Sequence, residues 1–534
     1  MKADLIIQGS AVFTGLKDHP EELAIAIKDN KIVATGTIDE ITTFKSDATQ
    51  IIDAGDKLVM PGFHDTHLHL MAGVLFTQYA CNLYEAKSLA ETLDMLKQFA
   101  DAHPDREWVI GTGWDYTAWG ETEFPTRQDI DAVISDRPVF LLHAEGHYAW
   151  VNTKALEIAN ITKDTENPEY GIIYKDANGE PTGILIETAI ALAGEYAYDF
   201  SPEERREMLA KFMEHANSFG VTSVNDFYMS RAHEKLEDYT VYEEFDKANK
   251  LTTRIHLYPP LNGDLEMAKR MKERYQSPML KFTGLKQFID GVVTGYTALM
   301  LDPYKDKPDT KGELSFPEET LQKWVTEADR AGYQIRFHTI GDGAVRLGLD
   351  LFENAQKENG KRDSRHALEH IEVIAPSDIP RFKELGVQAS VQPTHLALMP
   401  RESHTERVAE EKFPYLYPNA TLKNAGAVMP YSSDFPISPI NPLLGIFHAV
   451  TRMDYYLEEP WNEQESISLA EALKAYTQVS AYSVFREDEL GTIEPGKFAD
   501  IVILDRNLFD VPAKEILETT VETTIVDGKI VYQK

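Results

Sequence analysis

Short runs of alternating apolar and polar residues open and close this chain, with a longer and more varied middle between them. Near the start, DLIIQGSAVFTG, LAIAIKDNKIVATG and IIDAGDKLVM read as strands, and Asp29-Asn30 marks a tight hairpin turn between alternating runs. Near the end, GTIEPGKFADIVILDRN and VETTIVDGKIVYQK repeat that grammar around Asp527-Gly528. Neither end has strands enough to bury a core alone. Residues 1–57 and 490–534 are therefore expected to form one composite β-sandwich. Across 58–489, strand-like runs fall at 58–69, 221–226, 253–258, 283–289, 334–339, 366–371, 387–392 and 427–434. SPEERREMLAKFMEHANSFG predicts a helix with Ser201 as N-cap, Pro202 in the first turn and Gly220 past its end. Ser468 to Glu471 opens another helix with a capping box. Residues 75–205 are a long insertion with strand candidates WVIGTGW and RPVFLLHA and a capping box at Ser88 to Glu91. A structureless loop of that length is rare, so a subdomain is expected there.

Composition narrows the class. The 534 residues are 43% hydrophobic and 26% charged, enough for a large globular enzyme core. A net charge of -34 disfavours nucleic acid and anionic membranes as partners. The partner expected is a small-molecule substrate, and assembly into a homo-oligomer is compatible with the sequence. A single cysteine, Cys81, excludes an intrachain disulfide, and MKADLIIQG reads as a first strand rather than a leader; a cytoplasmic location is expected.

Candidate chemistry sits at the ends of the predicted strands. In VMPGFHDTHLHL, His67 and His69 are two apart and project from one strand face, a ready clamp for a divalent ion. A bare H-x-H is often an ordinary surface pair, but further ligand-type residues follow. Lys286 lies in FTGLKQFIDG, His338 in YQIRFHTIGD, His370 in RHALEHIEV and Asp434 in AGAVMPYSSDFP. A (β/α)8 (TIM) barrel, an α/β fold, brings such strand ends together on one face.

In these residues the chain resembles the amidohydrolase superfamily, whose pattern is H-x-H on strand 1, Lys on strand 4, His on strands 5 and 6, and Asp on strand 8. It is similar to the amidohydrolase 3 branch, which includes N-substituted formamide deformylases, through VMPGFHDTHLHL, GTGWD, HYAWVNTKAL, LKQFIDG, HTIGDGA, LEH and SSDFP. One departure is Glu145-Gly146-His147, where the branch has Asp-Gly-His. The resemblance implies a TIM barrel with the composite sandwich and the insertion after strand 1.

It also implies one or two divalent ions, zinc for preference, held by His67, His69, Lys286, His338, His370 and Asp434. Carbamylated Lys286 would bridge a pair of ions; a buried Lys286–Asp290 ion pair or a one-ion site is the alternative. Water made acidic by the metal would attack an amide carbonyl while Asp434 carries its proton to the leaving nitrogen. A single-metal deaminase of a heterocycle and an inactive barrel serving as a scaffold are the competing readings. Trp114, His147 and His395 are candidate substrate contacts, and no arginine stands out as a carboxylate clamp, with Arg336 and Arg365 left open. His366 is expected to lie below the metals, Asp342 to cap the helix after strand 5, and His404 to be exposed. The insertion, which holds Trp108, Trp114, Trp119 and Trp150, is expected to choose the substrate.

Overall fold

The structure, a computed structural model, describes residues 1–534 apart from Glu145, His147, Tyr170, Arg231, Ala232, Glu234 and Glu237. Its contacts divide the chain into two compact units: residues 1–68, 213–228 and 242–534 in one, and 69–212 with 229–241 in the other.

In the first unit, strands from both chain ends make one eight-stranded sheet. Its order is Lys529–Gln533, Val521–Val526, Ile501–Leu504, Leu58–Pro61, Leu5–Val12, Glu21–Lys28 and Lys31–Gly36, with Gln50–Asp53 also paired to Leu5–Val12. Period-two alternation sorts its two faces. Leu5, Ile7, Ile25, Ile27, Ile501 and Ile503 enter one apolar cluster, and Ile6, Ala24, Ala26 and Ile41 another. The two predicted hairpin turns meet: a Cβ on Gly528 would fall 2.2 Å from the Asp29 carbonyl oxygen, so the approach requires glycine.

The run expected as one strand over 58–69 is in fact two. Leu58–Pro61 belongs to the terminal sheet, paired with Leu5–Val12 and Ile501–Leu504. Phe63–Leu68 instead pairs in parallel with Val221–Phe227. Gly62 separates them, and a side chain there would collide with Thr222. Parallel pairing continues through Arg254–Tyr258 and Leu280–Phe282 in one four-stranded sheet. Gly284–Phe288, Gln334–Thr339, Ala367–His370 and Gln388–Ser390 make a second.

Parallel bridges at Pro260–Lys286, Val391–Tyr431 and Leu68–Phe435 connect these strands. The strand expected over 427–434 is only the bridge at Tyr431, with the bridge at Phe435 just past its end, and not a ladder. Pro430 has no N–H to give, Ser433 N donates to the Asp65 carboxylate, and Asp434 adopts φ 60°. Helices such as Pro202–Ser218, Glu318–Arg330 and Asp342–Asn359 separate successive strands. The predicted N-cap at Ser201 and the predicted box at Ser468 both form, each serine accepting from the N–H of a glutamate three residues on.

The second unit has a six-stranded sheet, ordered Gly171–Lys175, Pro181–Glu187, Tyr148–Val151, Val139–His143, Val109–Trp114 and Cys81–Asn82. Trp114, Trp150, Leu96, Leu141 and Ile184 form its core. Ser88 caps the helix Leu89–Ala102, but Glu91 accepts from Lys87 N, so the predicted box is only half made. Among the described residues, no helix is long and apolar enough to cross a membrane.

Candidate metal centre

Two residues at strand ends and one from an irregular segment bring donor atoms within 4.8 Å of one another: His67, His370 and Asp434. His67 is the next-to-last residue of Phe63–Leu68 and is buried. Its Nδ1 donates to Glu369 Oε2 at 2.9 Å, and its Nε2 lies 3.3 Å from Asp434 Oδ1. The Asp434 N–H donates to the His67 carbonyl at 2.8 Å, pinning the two segments together. His370 ends its strand with φ 74°, and Asp434 has φ 60°. Left-handed backbone at two non-glycine residues is costly and marks a site where side-chain direction outranks backbone comfort.

The ring nitrogens can be accounted for one at a time. His370 Nδ1 donates to Gln392 Oε1 at 2.8 Å, and its buried Nε2 has no hydrogen-bond partner among the described residues. His338, at the end of Gln334–Thr339, donates from Nε2 to the Gly291 carbonyl at 3.0 Å, which leaves Nδ1 as a lone pair. Its ring centroid is 4.4 Å from that of His370. Burial pushes the His338 imidazole down to about 4 and that of His370 well below its ordinary value, so both are neutral at pH 7. Neutral imidazole is the form that binds metal.

Lys286 is fully buried on Gly284–Phe288, its Nζ 4.9 Å from the Phe227 ring centroid. Burial pushes the ammonium down to about 8, and Nζ has no hydrogen-bond partner among the described residues. The ion pair with Asp290 does not form. Asp290 instead accepts backbone N–H groups from Leu299, Ile340 and Gly341 at 2.9–3.0 Å, and burial pushes its carboxyl up to about 8. An orphaned lysine nitrogen, an orphaned imidazole nitrogen and a carboxylate at the strand ends fit a divalent ion.

Beneath this cluster lies a layer that the sequence did not reveal. Glu369 is wholly buried between His67 and Arg336, with Arg336 Nη1 donating to its Oε1 at 3.1 Å and to the Thr66 carbonyl at 3.0 Å. Arg336 is thereby consumed inside the protein and is not a substrate clamp. Arg365 is likewise held by Asp363 and Glu487. Asp65 accepts from His67 N at 3.2 Å and from Ser433 N and Oγ, fixing both segments that carry ligand candidates.

His395 does come to the cluster. Its ring stacks on His370 at 9° with centroids 5.5 Å apart, and its Nε2 is 3.6 Å from Asp434 Oδ2. Behind it stands Glu372, 3.6 Å from His395 Nδ1 and accepting from His404 Nε2 at 2.8 Å. Burial acts to raise the Glu372 carboxyl, but hydrogen bonds from His395 and His404 win and hold it well below the carboxylate range. His404, expected to be exposed, is buried because it is needed by Glu372 and Tyr417.

The remaining candidates fare differently. His69 is buried and is the residue before the short helix Leu70–Val74, in the second unit. Trp114, expected to touch substrate, is fully buried in the second unit's aromatic core, its Nε1 donating to the Leu141 carbonyl at 3.0 Å. Its ring is spent on packing. His147 lies outside the described residues, as does Glu145. Asp342 begins its helix rather than capping it, and accepts from Leu301 N and Lys412 Nζ. His366 is buried as expected, accepting from Ile335 N at 3.0 Å through Nδ1 and bonding Asp329 through Nε2.

The amidohydrolase family profile matches residues 50–532, and the chain belongs to that family. It is a metal-dependent hydrolase acting on carbon–nitrogen bonds. Protein LONG AFTER FAR-RED 3 of Arabidopsis thaliana is 34% identical, over 99% of this chain and 92% of its own length. An N-substituted formamide deformylase of Arthrobacter pascens is 26% identical, over 99% of this chain and 98% of its own. The crystal structure of an uncharacterized metal-dependent hydrolase from Pyrococcus horikoshii OT3 superposes with a TM-score of 0.80 at 27% identity, covering 96% of this chain and 99% of that one.

Proposed function

We propose that the protein cleaves an amide-type carbon–nitrogen bond of a small molecule, on the carboxyl ends of the strands of a (β/α)8 barrel. In this reading the terminal strands supply a flanking β-sandwich, residues 75–205 help to choose the substrate, and the enzyme works in the cytoplasm. The observation that carries it is the ring-nitrogen accounting. Glu369, Gln392 and Gly291 each occupy one nitrogen of His67, His370 and His338, aiming the others toward Asp434 or leaving them as lone pairs.

His67, His338, His370 and Asp434 would hold one or two divalent ions, and zinc suits imidazole and carboxylate donors. His69 joins them on its spacing from His67, and Lys286 as a carbamate when two ions are held. A bound ion would supply Lewis acidity, making water more acidic and a carbonyl more electrophilic. The chain's own groups complete the reaction. An Asp434 carboxylate oxygen takes the proton of the attacking water and returns it to the leaving nitrogen, which departs only once protonated. His395 hydrogen-bonds the substrate through Nε2, oriented by Glu372.

One observation favours a second reading, a one-ion deaminase of a heterocycle: His67, His370 and Asp434 by themselves bring three donor atoms within 4.8 Å of one another, a set compact enough for a single ion. Metal analysis combined with a product screen separates the two. Amine and acid released from N-formyl amines, cyclic amides or carbamates supports the proposal, whereas ammonia released from purine or pyrimidine analogues supports the second reading. An unmodified Lys286 in fully loaded protein ends the two-ion version.

A further inference from the structure

We infer that His404 and Tyr417 are positioning residues for the reaction, acting on His395 through the Glu372 carboxylate. This rests on the amide-hydrolysis reading above, in which His395 meets the substrate. Three segments of the first unit build the device. Glu372 lies just past the strand Ala367–His370, His404 on the short helix Glu402–Thr405, and Tyr417 beyond both. The Glu372 carboxylate divides its oxygens between two imidazoles. Its Oε2 accepts from His404 Nε2 at 2.8 Å, and its Oε1 faces His395 Nδ1 at 3.6 Å. Tyr417 ties these residues together. Its N–H donates to the Glu372 carbonyl at 2.9 Å, and its hydroxyl lies 3.1 Å from His404 Nε2. Tyr417 makes both contacts from a left-handed φ of 51°, a costly backbone for a large side chain. Trp461 backs the pair, its ring centroid 6.0 Å from that of His404 and 5.4 Å from that of Tyr417.

On its other side the device meets the reactive cluster. Gln392 serves both histidines there: its Oε1 accepts from His370 Nδ1 at 2.8 Å, and its carbonyl accepts from the His395 N–H at 3.0 Å. The two rings lie within 9° of parallel, and His395 Nε2 is 3.6 Å from Asp434 Oδ2. The backbone bond fixes where the His395 side chain starts, but its ring direction still depends on two side-chain torsions. Glu372 is the group that faces Nδ1 and decides them. Glu372, His404 and Tyr417 are all buried. A buried carboxylate is costly unless hydrogen-bonded, and apolar groups of the same volume would serve the fold as well. Set behind a ring that meets the substrate, it fixes which way that ring points, as carboxylates behind metal-binding imidazoles do.

The test compares metal-loaded parent, His404→Leu, His404→Gln, Tyr417→Phe and His395→Asn. Measured for each are metal content, the His395 ring in crystals, and kcat and KM on whichever of N-benzylformamide, hydantoin and ethyl carbamate the parent hydrolyses. His404→Leu is expected to retain metal, to lower kcat/KM by about 10–100-fold and to turn the His395 ring from its parent orientation. Glutamine still offers an N–H to the Glu372 carboxylate, so His404→Gln should return to within about threefold of the parent. Tyr417→Phe loses only the hydroxyl and should cost about threefold to tenfold, in line with one neutral hydrogen bond. Because both residues act through His395, adding His404→Leu or Tyr417→Phe to His395→Asn should cost no more than about twofold further. Losses that multiply in either double variant, or a His395 ring that keeps its parent orientation in His404→Leu, overturn this inference alone. A parent that hydrolyses none of the three probes overturns the amide-hydrolysis reading, and the ring orientation in His404→Leu then decides the positioning role by itself.

Discussion

Two sets of buried histidines share the same parallel strands, and they do opposite things. His64 and His67 lie on Phe63–Leu68, and His366 and His370 bracket Ala367–His370. In the deeper set, His366 and His256 find partners within the protein for both ring nitrogens. His366 uses both, and His256 donates from Nδ1 to the Val224 carbonyl while its Nε2 faces Arg486. At the strand ends, His370 and His395 each keep a buried Nε2 without a hydrogen-bond partner among the described residues. His64 is intermediate, bonded to Asn225 through Nε2 with Nδ1 unengaged. Burial does not distinguish the sets, and neither does basicity: burial pushes His64 down to about 3 and His338 to about 4. What differs is where the second nitrogen is spent. His366 and His256, with both nitrogens satisfied, hold the fold, whereas His370, with one satisfied and the other turned to the cluster, is prepared for a ligand.

The largest effect should come from removing a strand-end ligand. His370→Asn and Asp434→Asn should lose bound metal and reduce turnover by more than about a thousandfold, beyond the 10–100-fold typical of supporting residues. If His370→Asn binds metal as the parent does, the comparison collapses. Glu369→Gln tests the support itself. It keeps the shape but weakens the hold on His67 Nδ1 and Arg336, so metal affinity should fall by about 10–100-fold in a chelator competition.

His366→Asn belongs to the other set. It should destabilise the protein by about 1–3 kcal/mol in denaturant titration, the cost of leaving Ile335 N or Asp329 unpaired, with metal stoichiometry unchanged. Loss of metal in this variant would show that the division into two sets is false.

The smallest effect is a pH dependence of the metal-free protein. His64, His233, His338 and His448 have folded values depressed to about 3–4, so their contribution is full above the unfolded value near 6.5 and is lost as pH falls through the folded values. Asp65 and Asp290 oppose this. Their carboxyls, raised by burial to about 7 and about 8, favour the fold at low pH and lose that contribution as pH rises through those values. With these four imidazoles against two carboxyls, thermal unfolding should move to lower temperature between pH 6.5 and 4. Unfolding temperatures that are flat or rise toward acid would show that these histidines are not buried as neutral rings.

The sequence made the strand-end chemistry legible because each candidate ligand follows or interrupts an apolar run. Lys286 amid Leu285 and Phe288, or His338 after Ile335 and Phe337, is conspicuous without any tertiary information. Glu369 was hidden by its own neighbour: beside His370 it reads as the opposite-facing member of an alternating pair. Gln392, Glu372 and His404 carry no periodic signal, since their roles depend on contacts between separate loops. The final strand was misread because apolar composition in AVMP does not reveal that Pro430 and a left-handed Asp434 prevent a ladder. Trp114 was misread because an aromatic in a loop-rich insertion looks like a pocket wall until its indole N–H is found donating to Leu141.

The terminal sheet has a consequence for how the chain is made. Leu58–Pro61 is flanked on one side by Leu5–Val12 and on the other by Ile501–Leu504, and Lys57 pairs with Glu522 across 465 residues. A ribosome adding about 5–20 residues per second delivers the second flank on the order of half a minute to a minute and a half after the first. Throughout that interval, the emerging chain displays an open hydrogen-bonding edge at Val59 and Met60 beside the strand that carries His67. Completion of the sheet is therefore a late event in biosynthesis. A nascent chain released before its last strands would present a sticky border to its neighbours while already containing nearly every residue of the reactive centre.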